Sequence, residues 1–214
     1  MLAERFRALW MDNRRYLLIG SLLMLFGIIF GYLEASLVEK LAQQMIEQIR
    51  KIADQIQKNG HPTAVFWMIL FNNLFSSLMM MVLGVLFAFF PIYGLVANGV
   101  LLGFLLDKMG DAGLNPLVVL TVGILPHGIF ELPAVVFAAS FGIRYGVLTW
   151  RTVAFIWNAE GRGKLKREWT AGVKQFPLAV LVIAILLVVA ALVESVITPL
   201  LIQNTIGTQF KFMK

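Results

Sequence analysis

Apolar residues in this chain run together in long uncharged stretches rather than in alternating or striped patterns, and short polar segments separate the stretches. A run of this kind, about 20 residues long, suits a helix that crosses a bilayer. The first spans Tyr16–Leu33. Between Gly60 and Leu106 there is no Asp, Glu, Lys or Arg, which is too long for one crossing, and Pro91-Ile92-Tyr93-Gly94 is expected to divide it into Val65–Phe90 and Ile92–Leu106. A fourth span is read over Leu117–Ile143 and a fifth over Pro177–Ile202. The pattern thus predicts an all-α, polytopic transmembrane helix bundle of about five spans, forming a single membrane domain over residues 1–214.

One polar stretch keeps helical spacing. Over Glu34–Asn59 the apolar positions Leu37, Leu41, Met45, Ile49, Ile52 and Ile56 recur mostly every third or fourth residue, so residues 34–62 are read as an extracytoplasmic amphipathic helix. Its four basic and four acidic residues balance, unlike the basic helices that bind anionic lipid. Asn59-Gly60-His61-Pro62 ends it.

Composition strengthens the membrane reading. Hydrophobic residues make up 59% of the 214, and only 14% are charged. The formal net charge of +6 therefore reports orientation, and no nucleic-acid partner is expected. Arg5, Arg7, Arg14 and Arg15 lie before the first span, and residues 144–176 form a basic loop with seven Lys or Arg against two acids. Both belong on the cytoplasmic side, which gives a multi-pass protein of the plasma membrane with residues 1–15 in the cytoplasm. The first apolar run lacks a cleavage pattern and reads as a membrane helix rather than a removable leader. Cysteine is absent, so thiolate metal sites and cysteine nucleophiles are excluded.

The candidate chemistry lies in Pro126-His127-Gly128-Ile129-Phe130-Glu131-Leu132-Pro133. Glu131 is the only charge from Ala112 to Ile143, and an acid at membrane depth costs about 2.5–3.5 kcal/mol on insertion scales. Helical geometry would put His127 and Glu131 on one face, one turn apart. Pro126, Gly128 and Pro133 are expected to kink or break the helix there, freeing carbonyls of the kind that transporters use for midplane ligands. The alternative is structural, with Glu131 hydrogen-bonded to a neighbouring helix and His127 capping the broken turn. Asn73 and Asn98 fall inside other spans and are candidate partners, although asparagine between membrane helices also serves as interhelical glue. Glu194 reads as a solvated carboxylate near the outer interface.

No metal site is expected, because His61 and His127 are the only histidines and His127-x-x-x-Glu131 is not the metalloprotease pattern. No catalytic role and no cofactor is expected either. Gly27-x-x-x-Gly31 and Gly99-x-x-x-Gly103 read as close-packing pairs, and a homodimer is compatible with so small a bundle.

The string Pro126-His127-Gly128-Ile129-Phe130-Glu131-Leu132-Pro133-Ala134 stands with Asn72-Asn73, Asn98-Gly99-x-x-x-Gly103, Ala191-Leu192-Val193-Glu194-Ser195 and Thr198-Pro199. Together these resemble the stage II sporulation protein M family. The resemblance implies a non-enzymatic integral membrane scaffold that anchors cell-wall hydrolase partners, which remodel peptidoglycan during engulfment of the forespore. It also implies Asn73, Asn98, His127 and Glu131 as functional positions. The family also occurs in prokaryotes that make no spores. The alternative, from the residues themselves, is a transporter or channel-like component in which Asn73, Asn98, His127 and Glu131 line an intramembrane ion or solute site.

Overall fold

In lipid a backbone must satisfy its own polar groups, and uncharged runs of this length do so as helices. The computed structural model describes residues 2–40, 43, 62–111, 113–154 and 162–201. Among the described residues there are helices and no strands, and five helices are long and apolar enough to cross a membrane. We label them α1 (Leu2–Leu33), α2 (Pro62–Leu83), α3 (Phe89–Asp111), α4 (Leu125–Ala154) and α5 (Arg162–Leu192). The fold is the expected all-α membrane bundle.

Several boundaries differ from the sequence reading, each for a physical reason. α1 begins at Leu2 rather than Tyr16, so the residues read as an N-terminal segment are helical, with Leu9 and Asn13 buried. The long charge-free run divides at Gly84–Ala88, not at Pro91. Phe87 and Ala88 take left-handed backbone angles there, φ 53° and 62°. Pro91 then sits in the first turn of α3, where a missing N–H costs no helical bond. The third span is in consequence 23 residues long instead of about 15. The turn lies directly on α4: a Cβ at Gly146 would come 2.2 Å from the Ala88 nitrogen, and one at Gly84 would come 2.3 Å from Gly142.

The irregularity of the fourth span also sits elsewhere. α4 runs without interruption through His127–Glu131 and through Pro133. The disturbance lies just before it, where a short turn (Pro116–Val118) leads into a π-helical segment, Val119–Ile124. Its wider turn, with the Leu125 N–H bonded to the Leu120 carbonyl, gives the ring of Pro126 room that an α-turn would deny. Arg144–Ala154 continues α4 and Arg162–Lys174 opens α5, so most of the expected basic loop is helix. Of the expected 34–62 helix, residues 35–40 are helical and Val38 packs on Phe104. Leu41, Met45, Ile49, Ile52, Ile56 and His61 lie outside the described residues, as does the tail from 202 onward.

α4 is the centre of the bundle, with Ala134–Val136 and Ala138–Gly146 all buried. One side packs on α2 and α5 through Met81, Phe141, Tyr145, Ile183 and Leu187. The other packs on α1 and α3 through Met24, Leu95, Val136 and Ala139. α1 and α3 form the closest pair. A Cβ at Gly31 would lie 2.2 Å from the Val100 carbonyl oxygen, and one at Gly103 would lie 2.1 Å from that of Ile28. These contacts advance together along both helices, so α1 and α3 are parallel, as alternating crossings require. α5 returns antiparallel to α4, with Tyr145 beside Gly172 at one end and His127 beside Thr198 at the other.

Candidate intramembrane site

α4 places His127 and Glu131 one turn apart on the side that faces α2 and α5. At 1.5 Å per residue, Glu131 lies about 20 Å along the helix from Arg144 and about 22 Å from Pro116, deep within a ~30 Å hydrocarbon layer. Beyond Leu192, α5 passes into a second π-helical segment, Val193–Ile197, which carries Glu194. Ligand atoms of His127, Glu131 and Glu194 all lie within 4.8 Å of one another, and the three residues are half-buried. α2 brings the side chain of Asn73 alongside the Glu131 carboxyl.

The orientation of the imidazole follows from its neighbours. His127 Nδ1 lies 3.3 Å from Thr198 Oγ1, and that hydroxyl donates to the Val193 carbonyl at 3.4 Å. The contact with Thr198 occupies Nδ1, and Nε2 has no hydrogen-bond partner among the described residues. A histidine held through one nitrogen and open at the other is the usual arrangement of a cation ligand.

The structure therefore joins three of the four sequence candidates. His127, Glu131 and Asn73 meet; Asn98 does not. Its amide donates to the carbonyl of Gly94, one turn back in its own helix, at 2.7 Å, and the side chain faces outward. Pro126 and Pro133 flank the site within continuous helix. Gly128 makes no close approach: a Cβ there would find Ile124 at 3.5 Å, an ordinary contact. Ser140 is spent on its own helix, donating to the Val136 carbonyl at 2.5 Å.

Glu194 and Thr198 were the residues missed. The signal for Glu194 was available, since it is the only charge between Gln175 and Phe210, the same criterion that singles out Glu131. Counting residues from the end of the span put it near the interface. The span ends close to where it is expected, at Leu201, but Glu194 lies in the π-helical segment, and its carboxyl comes within 4.8 Å of ligand atoms of His127 and Glu131.

A second polar cluster at the opposite end was also missed. Arg144 is only 5% exposed although the sequence placed it in a loop. Its guanidinium donates to Gln175 Oε1 at 2.7 Å and Asn13 Oδ1 at 3.3 Å, and it lies 3.7 Å from Asp12. Gln175 in turn donates to Asp12 at 2.8 Å. Arg151 pairs with Glu168, and Trp169 donates to Thr152 at 3.0 Å. These bonds tie α1, α4 and α5 together.

A helix bundle of five candidate spans with a His-Glu-Glu-Asn cluster inside it defines a polytopic membrane protein with an intramembrane polar site. Comparison with known proteins gives the family. The chain belongs to the stage II sporulation protein M family, whose sequence profile matches residues 20–199 and so takes in every site residue. Among curated proteins it is similar to two from Methanocaldococcus jannaschii. The uncharacterized protein MJ0793 is 29% identical over 181 residues, covering 83% of this chain and 91% of the relative. The uncharacterized protein MJ0706 is 25% identical over 194 residues, covering 87% and 82%. No solved structure matches.

Proposed function

We propose that this protein is a non-enzymatic transporter or channel-like membrane component that binds a cation at His127, Glu131 and Glu194. The observation that carries the reading is the convergence of these three ligand atoms to within 4.8 Å of one another at membrane depth. Two carboxylates this close in a medium of low dielectric repel, and either a proton on one of them or a bound cation relieves that repulsion. One imidazole and two carboxylates suit a borderline divalent ion such as Zn²⁺ or Mn²⁺, and the same group can pass a proton. Bonds near 2.1 Å would draw the ligand atoms to about 3.4 Å apart, within reach of small side-chain rotations. Asn73 orients Glu131, and Thr198 orients His127.

The test is Zn²⁺ and Mn²⁺ binding and flux, with proton flux alongside, for the full chain in proteoliposomes. Glu131→Gln and Glu194→Gln should each weaken metal binding at least tenfold and reduce flux accordingly. Unchanged flux in both variants would overturn the proposal.

Family membership favours a second reading, an integral membrane scaffold in the plasma membrane that anchors peptidoglycan-remodelling partners during engulfment. In that role the outward surface would be residues 34–62, and removing the apolar stripe of Leu41, Met45 and Ile49 should abolish capture of cell-wall hydrolases. Capture that survives this change excludes that surface. The proposal keeps the N-terminus in the cytoplasm, which the basic end of the bundle supports. It also keeps a homodimer, since Asn72 and Asn98 face outward within their spans and pairing across helices would satisfy them.

A further inference from the structure

The end of the bundle remote from His127 holds a cavity of about 680 Å³ between α1, α4 and α5. Six cations line it: Arg14 and Arg15 from α1, Arg144 and Arg151 from α4, Lys164 and Arg167 from α5. The acids in its wall are Asp12 and Glu168. Both acids are already engaged, Asp12 with Arg144 and Glu168 with Arg151. Among the described residues no acid pairs with Arg14, Arg15, Lys164 or Arg167. The hydroxyl-bearing Tyr16 completes the wall.

Arg14, Arg15, Lys164 and Arg167 are exposed, and four like charges around one cavity concentrate anions at its mouth. The cavity also stands at a defined level. Arg14 and Arg15 immediately precede the apolar run of α1, and Arg144 closes the charge-poor part of α4. That is the depth of a lipid head group, and basic pockets between helices at that depth hold phosphorylated head groups. Arginine offers a planar fork of donors that matches phosphate oxygens two at a time, and three of the four unmatched cations are arginines. The volume suits a ligand of a few hundred Å³. A carboxylate also accepts an arginine fork, but the additional oxygens of a phosphate can take forks arriving from both α1 and α5.

We infer that this cavity is a phosphate-binding site that takes a phosphomonoester or diphosphate group, carried on a lipid or free in solution. The inference does not depend on the cation site, which lies in a different part of the bundle.

The experiment uses the full chain in phosphatidylcholine nanodiscs. One probe is pyrophosphate, followed by calorimetry; the other is phosphatidic acid mixed into the nanodisc, followed by its retention in native mass spectrometry. The cavity variant is Arg14→Gln, Arg15→Gln, Arg167→Gln. A charge-matched control, Arg5→Gln, Arg7→Gln, Lys108→Gln, removes the same charge outside the cavity. The cavity variant should bind at least tenfold more weakly and the control should match wild type. Binding of phosphatidic acid alone assigns the lipid head group as the source, and binding of pyrophosphate as well assigns a free phosphate ligand. The site is overturned if neither probe binds, or if the control loses as much as the cavity variant. Should the triple variant unfold, Lys164→Gln with Arg167→Gln, both exposed on α5, gives the same comparison.

Discussion

Arg144 shows how much a single buried guanidinium can organise. It meets three polar partners from α1 and α5 while almost fully removed from solvent. Arg144→Met would fill the space but leave Asn13 and Gln175 without their donor, at a cost of about 1–3 kcal/mol. Thermal unfolding in detergent should show a clear drop in Tm, and Arg144→Lys should recover only part of it, because one ammonium cannot reach acceptors spread around a planar fork. A wild-type Tm for Arg144→Met would mean that the network does not hold the three helices. At this scale the sequence was informative where an ionisable residue stood in an apolar run, as His127 and Glu131 did. It was uninformative where burial depends on a distant helix. Nothing local distinguishes Arg144 from Arg151 or Arg162, and only the approach of Asn13 and Gln175, from 131 and 31 residues away, makes it an interior residue. Asn98 failed for the converse reason, since its depth was suitable but its helix face was not.

Helices were legible in the chain as long uncharged runs, and the small-residue pairs as their contact seams. Gly27, Gly31, Gly99 and Gly103 do form the α1–α3 seam. Gly103→Val should force the two backbones apart and cost about 1–3 kcal/mol, since the obstructing atoms are the Ile28 carbonyl and the Tyr32 amide rather than a flexible side chain. Gly163→Ala is the internal comparison: nothing lies within 4 Å of its added carbon, and stability should be unchanged or slightly raised. Equal unfolding temperatures for the two variants would contradict the close packing of the seam. Element ends were less legible than element existence. Proline at 91 looked like a breaker and is a helix-starting residue, whereas the real turn at Phe87–Ala88 uses two non-glycine residues in left-handed geometry. Ala88 packs on Gly146 and Gly84 on Gly142, a tertiary setting that no local pattern announces.

For the molecule as a whole, the arrangement of charge predicts its orientation. The chain has no cysteine, so single cysteines report accessibility without a background. Lys164→Cys should react with an impermeant thiol reagent only from the cytoplasmic side, and Lys108→Cys only from outside; the reverse pattern would invert the topology. The two ends of the α4–α5 pair also differ in a mechanical sense. At the basic end side-chain bonds clamp the pair, through Arg144, Tyr145, Thr152 and Arg151. At the other end each helix carries a π-helical segment, Val119–Ile124 beside His127 and Val193–Ile197 around Glu194. Such a segment is one residue out of step with the ladder on either side, a form of backbone that recurs at functional sites. The pair is thus built like a pair of tweezers, cross-bonded at the hinge and irregular in its backbone at the tips. His127 and Glu194 sit at the tips, next to or within backbone that already departs from the α-helical ladder in both arms.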